Sequence, residues 1–469
     1  MSPGETTPGI LQTEYASRRA ALASLLPANS LALFPATPAA YMGHDVPYSP
    51  HHQDTDLFYL CGLQEQTSLL ACAKPSADSA SVRWHLFVRP SSKTEELWDG
   101  ARAGVDGAQS FFLPEGAAHA LDQAPNVLMS ELRDGGLGQL FYDASANRDI
   151  DARLRPTLLG AAKLTGQAQP PRRLVHALRL RKSAAEIQLM RKAGDVGALA
   201  MNATMAGSLR ASAAGMTEHV LAAQFEFESK FAGAERLAYP CVVAGGANAV
   251  TLHYMHNNAP LRHGEMVLMD AGASVHGYCS DITRTWPLSG RYSAAQKDLY
   301  EAVLDVNERI IAAVTSERQR GSQPGVSINA LHRQSLRWTY ENLVDLGIIR
   351  HDDPNAGEKF RTYYPHAIGH WLGLDVHDTP SVDSGTPLEG GMVITVEPGL
   401  YIPADDERVS PHFRGLGVRI EDDVLIAADS SAPAEVLTRA VPKTVAEVET
   451  WLAAAAGESL ERPAAEEVA

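Results

Sequence analysis

Five residues in the second half of the sequence have the side chains of a metal-dependent hydrolytic site. They are Asp270, Asp281, His370, Glu397 and Glu421. Each ends or lies in an apolar strand-like run or a glycine-rich segment, so folding would bury four carboxylates. Without cations that burial would force protonation, whereas two divalent cations would neutralise the charge. Mostly oxygen ligands with one nitrogen suit Mn²⁺, with Co²⁺ or Zn²⁺ as substitutes, and two such ions bridged by carboxylates and a hydroxide form a hydrolytic site.

The two aspartates are separated by a predicted turn. Asp270 ends the apolar run MVLMD, and Asp281 follows eleven residues later in CSDITRT. A turn at 274–277 would make a hairpin and bring both carboxylates to one place. Taken alone, the pair favours a structural interpretation, because an Asp near such a turn is most often a backbone cap and Asp281 beside Thr283 fits a solvated strand face.

Three histidines fall within twelve residues of the segment HAIGHWLGLDVHD, at His366, His370 and His377. The glycines between them allow close backbone approach. A single histidine beside Trp371 is more often a hydrogen-bonded core residue than a ligand, but three so close together favour a site.

The remaining polar residues lie in predicted strands. Glu397 follows the apolar run 392–396, and a buried carboxylate there needs a cation or a strong donor. In GLGVRIEDD, Arg419 and Glu421 point to the same face of a strand. By itself that pair is typical of a surface cross-pair.

The elements that would position these residues begin with an N-terminal domain. Its short apolar runs, bounded by Gly, Pro, Ser and Asp, predict strands at 31–34, 56–63, 68–74, 81–89 and 139–143. Pro170 and Pro171 interrupt this pattern, and Ser183 with Glu186 forms a capping box that begins the next helix. We therefore predict an α/β domain over 1–175.

The second domain, expected over 176–445, has longer elements. Its helices are predicted at 183–207, 216–231 and 293–314, the last begun by Ser293 and Gln296, and its strands at 266–270, 277–286, 392–397 and 417–426. The fold class is thus α/β (α+β). The Ala/Glu-rich segment 446–469 is expected to be a mobile tail.

Composition excludes several classes of protein. The 469 residues carry 40 Lys and Arg against 56 Asp and Glu, a formal charge of −16, which disfavours nucleic acid as a partner. The four cysteines form no metal or disulfide pattern, which favours a reducing compartment, with cytoplasm as the default. No export signal and no apolar run of about 20 residues is seen, so we expect no membrane association.

Together the motifs resemble the metallopeptidases of the creatinase or "pita-bread" fold, and among them the Xaa-Pro aminopeptidase (aminopeptidase P) family. The resemblance spans nearly the whole chain, including HHQDTDLFYLCGL and LFVRPSSKTEELWDG at 51–63 and 86–100. It implies a creatinase-like N-terminal α/β domain followed by a pita-bread catalytic domain. It also implies peptide substrates with proline at the second position, and a homodimer or homotetramer.

The resemblance assigns metal ligands residue by residue. Asp270 would hold one ion, Asp281 and Glu421 would bridge both, and His370 with Glu397 would complete the other ion's ligands.

Substrate-handling roles follow from the same resemblance. His253 would contact substrate near the scissile bond, His377 would hold the carbonyl and developing oxyanion, and His366 would line the proline pocket. Arg419 and Tyr401 would support the ligands. Glu397 would also move a proton to the leaving proline nitrogen.

Alternatives stay open at this point. Prolidase, an Xaa-Pro dipeptidase, shares the fold and ligands, and methionine aminopeptidase shares the ligands without a large N-terminal domain. A non-catalytic peptide-binding protein on this scaffold is a third possibility. Trp98 resembles a tryptophan that reaches a neighbouring subunit's site, or is a buried core residue.

Overall fold

The computed structural model describes residues 2–44, 46–48, 51–160, 168–320 and 325–461, with side chains through 457. The chain divides into two compact units, Met1–Arg179 and Leu180–Ala469. The predicted boundary near residue 175 falls within the last helix of the first unit, four residues before this division.

The first unit mixes short strands and helices. Its strands are β1 (Glu5–Thr7), β2 (Ile10–Leu11), β3 (Ser30–Pro35), β4 (Tyr41–Gly43), β5 (Val46–Pro47), β6 (Leu69–Lys74), β7 (Arg83–Val88), β8 (Ala117–Ala120) and β9 (Gln139–Phe141). Its helices are α1 (Gln12–Leu25), α2 (Thr55–Cys61), α3 (Lys93–Asp99), α4 (Gly104–Gly107), α5 (Ala124–Asp134), α6 (Arg148–Gly160) and α7 (Arg172–Arg179).

A five-stranded mixed sheet forms the centre of this unit, in the order β8-β7-β6-β3-β9. The inner pairs are antiparallel, and β8 and β9 join the edges in parallel. Every residue of β3 and β6 is buried, as their apolar runs predict. Four of the five predicted strands are present.

The fifth prediction was wrong, because 56–63 lies mostly in helix α2. The Asp54 side chain accepts a hydrogen bond from the Leu57 backbone N–H, which caps the helix N-terminus. Gly62 has φ +74 and ends the helix in the left-handed conformation. All of 57–61 is buried, so the apolar run carried no helical periodicity that could distinguish it from a buried strand.

The second unit holds the longer elements. Its helices are α8 (Ala184–Ala213), α9 (Glu218–Phe231), α10 (Ala294–Gln319), α11 (Ile328–Asp345), α12 (Ala356–Tyr363) and α13 (Val445–Glu461). Its strands are β10 (Arg236–Leu237), β11 (Val242–Gly245), β12 (Met266–Ala271), β13 (Ala273–Val275), β14 (Tyr278–Cys279), β15 (Ile282–Pro287), β16 (Val393–Val396), β17 (Gly399–Tyr401), β18 (Gly417–Arg419), β19 (Asp422–Leu425) and β20 (Glu435–Val436). Both predicted capping boxes are present, at the starts of α8 and α10.

Antiparallel strands in small sheets form the frame of this unit. The sheets are β10-β13-β14, β11-β12-β15, β16-β19-β20 and β17-β18. The predicted hairpin is present: β13 pairs with β14 around His276 and Gly277, whose φ values are +50 and +90. This mixture of helices and strands confirms the α/β (α+β) class.

Two expectations need correction. The chain does not become a mobile tail at 446, because helix α13 extends to Glu461 and buries Val448 and Leu452 in the core beside α8; 462–469 lie outside the described residues. Trp98 is 83% exposed, which excludes a buried core position within its unit.

In the described ranges, no helix combines the length and apolar character needed to cross a membrane.

Candidate metal centre

The candidate site forms where strands of the second unit end or break. Asp270 lies in β12, and Asp281 directly precedes β15. Glu397 directly follows β16, and Glu421 occupies the break between β18 and β19. One ligand atom each from Asp281, His370 and Glu421 lie within 4.8 Å of one another. Segments 140 positions apart in sequence thus meet between separate sheets, where the Glu421 backbone N–H donates to the Thr283 carbonyl at 3.0 Å.

His370 connects this cluster to Glu397. Its Nε2 lies 3.4 Å from an Asp281 carboxylate oxygen and 3.3 Å from Glu397 Oε1. The other ring nitrogen, Nδ1, lies 3.0 Å from the Trp371 backbone carbonyl, which can only accept. That contact places a proton on Nδ1 and directs Nε2 toward the carboxylates, the arrangement typical of a metal-binding imidazole.

Asp270 faces the cluster from β12 and is held on both sides. Arg419 Nη2 donates to one of its oxygens at 2.6 Å, and the Tyr239 hydroxyl contacts the other at 2.5 Å. Tyr239 also contacts Asp281. Because one hydroxyl proton cannot serve two carboxylates at once, the site leaves negative charge for another positive group to neutralise.

The acids repel one another electrostatically. Burial, followed by the charge of Asp270, raises the pKa of Asp281. Burial and the neighbouring carboxylates raise the pKa of Glu421 well above its ordinary value. Burial raises the pKa of Glu397 to about 7, although His370 and Arg419 oppose the shift. Burial disfavours charge on His370, but Asp281 and Glu397 outweigh it and raise its pKa to about 9.

This donor set fits divalent cations. Four carboxylates and one imidazole are oxygen-rich ligands of the kind that Mn²⁺ and similar ions accept. A bound cation would favour the ionised carboxylates, opposing the upward pKa shifts that burial and mutual repulsion cause.

A hydrogen-bonded chain leads from Asp270 to the cavity. Arg419 Nη1 donates to the Tyr401 hydroxyl at 2.9 Å, and that hydroxyl lies 2.9 Å from His366 Nε2. His366 Nδ1 lies 2.8 Å from the Ala367 carbonyl, so Nδ1 carries the proton and Nε2 accepts from Tyr401. Burial lowers the pKa of His366 to about 4, which keeps the ring neutral.

A cavity of 450 Å³ opens over these residues. All five candidate ligands line it, together with Arg419 and the three candidate substrate histidines, His253, His366 and His377. The His377 ring centroid lies 4.4 Å from that of His370. Burial and the nearby His370 lower the pKa of His377, so its ring is neutral at pH 7. Tyr401 is buried beside the lining and contacts two lining residues, His366 and Arg419.

Sequence reasoning missed three residues that hold the candidate ligands. Tyr239 contacts both aspartates, Thr283 Oγ1 donates to Glu421 at 2.7 Å, and Thr395 Oγ1 donates to Glu397 at 3.2 Å. Thr395 lies two residues from the acid that it contacts, which is a usable pattern, whereas Thr283 contacts an acid 138 positions away. Nothing in the sequence around Tyr239 distinguishes it from a packed aromatic.

Comparison with known proteins finds two matching families. The model of metallopeptidase family M24 matches residues 188–428, and that of the aminopeptidase P N-terminal domain matches 15–136. Human Xaa-Pro aminopeptidase 3 is 39% identical over 465 residues, covering 96% of this chain and 87% of the human protein.

Two solved structures are similar over nearly the full chain. Zn-substituted aminopeptidase P from E. coli, in complex with product, has a TM-score of 0.85 and 34% identity, covering 95% of this chain and 99% of that one. Icp55 from Saccharomyces cerevisiae has a TM-score of 0.82 and 33% identity, covering 95% and 98%. The chain therefore belongs to metallopeptidase family M24, with an aminopeptidase P N-terminal domain and a pita-bread catalytic domain, and it is a metal-dependent hydrolase.

Proposed function

We propose that this protein is an Xaa-Pro aminopeptidase that hydrolyses the bond between the first residue of a peptide and a proline in second position. The observation that carries the proposal is the Asp281, His370 and Glu421 cluster in the wall of a cavity that three further histidines, His253, His366 and His377, also line. The names of the human and E. coli relatives support the same activity.

The five candidate ligands would hold two divalent cations, with Mn²⁺ as the expected ion and Co²⁺ or Zn²⁺ as substitutes. Asp281 and Glu421 would contribute to both ions, as the family resemblance implies, and one carboxylate oxygen of each lies within 4.8 Å of the other. Asp270 would hold one ion, and His370 with Glu397 would complete the other. When bound, the pair would supply an activated hydroxide and would stabilise the negative charge that develops on the carbonyl oxygen.

The chain's own side chains perform the remaining steps. His377 and His253 line the cavity where the substrate carbonyl must lie, and a ring N–H of His377 would donate to the developing oxyanion. Glu397 would carry a proton to the leaving nitrogen of proline, since its carboxyl lines the cavity and lies 3.3 Å from His370 Nε2.

An Xaa-Pro bond suits a site of this kind. The proline nitrogen has no N–H, so a peptidase cannot grip the scissile amide through that hydrogen. A site that acts on the carbonyl does not need it. Of the aromatic rings here, His366 lines the cavity, and Tyr364 and Tyr401 pack edge to face against it with centroids 5.3 and 5.5 Å away, so the His366 ring would offer a fixed surface to the proline ring.

Prolidase remains the alternative activity, and one observation favours the aminopeptidase. A prolidase must hold the free carboxylate of proline with a cation. Among the described residues that line the cavity, the one arginine is Arg419, which is committed to Asp270 at 2.6 Å, and there is no lysine. A longer peptide could therefore pass beyond proline without leaving a cation unpaired.

Peptide length tests the proposal. Mn²⁺-loaded protein is incubated with Ala-Pro, Ala-Pro-Ala and Ala-Ala-Ala, with Asp281→Asn as the inactive control, and free alanine and Pro-Ala are measured. We expect Ala-Pro-Ala to yield alanine and Pro-Ala, while Ala-Ala-Ala is barely cut. Hydrolysis of Ala-Pro alone would replace the proposal with prolidase, and no hydrolysis by metal-loaded protein would favour a binding protein.

A homodimer or homotetramer formed through the first unit is the expected assembly. That unit exposes several large apolar side chains, namely Tyr41, Met42, Tyr48, Leu97 and Trp98.

We also propose a reducing compartment, with the cytoplasm as the default, because all four cysteines are free and buried.

A further inference from the structure

A buried ion pair lies beneath the loop that carries His377. Lys182 Nζ is 3.2 Å from Asp378 Oδ2, and the two side chains are 2% and 1% exposed. Asp378 follows His377 directly in the chain. The pair is absent from the lining of the cavity, so neither residue can touch substrate there.

The loop places these neighbours on opposite sides of the backbone. His377 is exposed toward the cavity, whereas Asp378 points into the protein. The Asp378 backbone N–H donates to the Trp371 carbonyl at 2.9 Å and closes the loop at its base. The Cys279 N–H donates to the Gly373 carbonyl at 2.8 Å and fixes the loop from a neighbouring strand.

The residue that follows Asp378 in the chain has a strained backbone. Thr379 has φ +47 and is fully buried, a left-handed conformation that a β-branched residue rarely adopts. Strain of this kind persists only where surrounding contacts impose it, and it concentrates at functional sites. Asp378 directly precedes Thr379, and its contacts with Lys182 and with the Trp371 carbonyl would hold the Thr379 backbone in this conformation.

Space beneath the loop is filled by the pair. A Cβ added at Gly373 would come within 2.4 Å of Asp378 Oδ2 and 3.0 Å of Lys182 Cε. Lys182 is itself fixed, since its backbone N–H donates to the Gly391 carbonyl at 2.8 Å and its Nζ lies 3.4 Å from the Leu180 carbonyl. A buried ion pair resists displacement because moving one partner leaves an uncompensated charge.

We propose that Asp378 and Lys182 are positioning residues that fix the His377 imidazole over the metal centre. The inference rests on the proposed function, since His377 matters only if the site performs hydrolysis. The pair acts through His377: it sets the height of the loop, and with it the place of the ring 4.4 Å from His370. Small displacements of a group that acts on the transition state lower kcat more than they raise KM.

A double-mutant cycle tests this coupling. Asp378→Asn, which keeps the size of the side chain and removes its charge, is made in the wild-type chain and in the His377→Ala chain. Steady-state kinetics on Ala-Pro-Ala and the metal content of the Mn²⁺-loaded proteins are then measured. We expect Asp378→Asn to lower kcat by ~10-fold or more in the wild-type chain, with KM changed less than ~3-fold and metal content unchanged.

In the His377→Ala chain the same substitution should change kcat by less than ~2-fold, because the group it positions is gone. Equal losses in both chains, no loss in either, or loss of metal in Asp378→Asn would overturn the proposal. If His377→Ala alone leaves kcat unchanged, the role of His377 in the proposed function fails first, and that outcome is distinct from additive losses.

Two more variants guard against simple destabilisation. Lys359→Met breaks another Lys–Asp pair, in which Lys359 Nζ lies 2.5 Å from Asp353 Oδ2; that pair is less deeply buried, and neither of its residues lines the cavity. It should lower the melting temperature and leave kcat unchanged. Lys182→Arg keeps the charge but changes the head group in this filled space, so it should lower kcat in the wild-type chain and leave kcat nearly unchanged in the His377→Ala chain. This pair of measurements supplies the test if the asparagine variant does not fold.

Discussion

Glu397 combines two properties that a general acid in this site needs. Its carboxyl lies 3.3 Å from His370 and accepts from Thr395, and burial raises its pKa to about 7. The carboxyl also lines the cavity in which the leaving amine would lie, which suits proton transfer to it. The same carboxylate is also a candidate ligand, so its two roles must be separated by measurement.

We predict that Glu397→Gln, once loaded with Mn²⁺, lowers kcat much more than it raises KM, because proton transfer belongs to the transition state. Initial rates on Ala-Pro-Ala with parallel metal analysis check this. Unchanged kcat at full metal content would rule out the proton-transfer role.

Residue types and spacing were enough to select the five candidate ligands, because carboxylates next to apolar strands are expensive to bury without a purpose. The residues that support these ligands were harder to predict. Tyr239 and Lys182 contact partners 31 to 196 positions away, and only the folded chain brings them together. Long-range pairings of that kind leave no local pattern in the sequence.

At the scale of elements, hairpins and strand ends position the site. Asp270 and Thr283 are paired across β12 and β15, which sets the first aspartate beside the strand that Asp281 precedes. The turn residues and capping boxes that delimit these elements are local, and their predictions were correct. Helix α2 was missed because residues 57–61 are all buried and apolar, so the sequence shows no alternation of polar and apolar faces with a helical period.

A substitution at Gly272 tests whether the site depends on the hairpin between the two aspartates. A Cβ at this position would lie 1.9 Å from the Ser280 carbonyl oxygen, inside the hairpin that joins the two aspartates. Gly272→Ala must therefore shift one strand against the other. We predict weaker Mn²⁺ binding and a large loss of activity, with a nearly unchanged far-UV circular dichroism spectrum.

Gly264→Ala is the matched control, since a Cβ there meets open space, although its φ of +91 makes that substitution somewhat strained as well. Its Mn²⁺ affinity should equal that of the wild-type protein. Equal metal affinity in the Gly272 variant would show that the hairpin does not set the spacing of the aspartates.

At the scale of the molecule, folding and metal binding are linked through pH. The pKa of Glu397 is raised to about 7 in the folded protein without cations, so the folded state binds its proton more tightly than the unfolded chain. That stabilisation is complete below the unfolded pKa of about 4.5 and is lost as pH rises through about 7. A bound cation requires the ionised carboxylate, so its contribution grows over the same interval.

We therefore predict that the gain in melting temperature on adding Mn²⁺ to EDTA-treated protein is small at pH 5 and large at pH 7.5. Groups outside the site titrate equally in both samples, so the difference isolates the centre. A gain that is the same at both pH values would contradict the linkage.

The central claim is that the metals held by Asp281 and Glu421 carry the activity. Metal content per chain is measured by mass spectrometry alongside turnover of Ala-Pro-Ala, for the wild-type protein and for Asp281→Asn and Glu421→Gln. The account predicts two ions per chain in the wild type, and joint loss of metal and turnover in both variants while circular dichroism is preserved. A variant that retains two ions and wild-type turnover would contradict it.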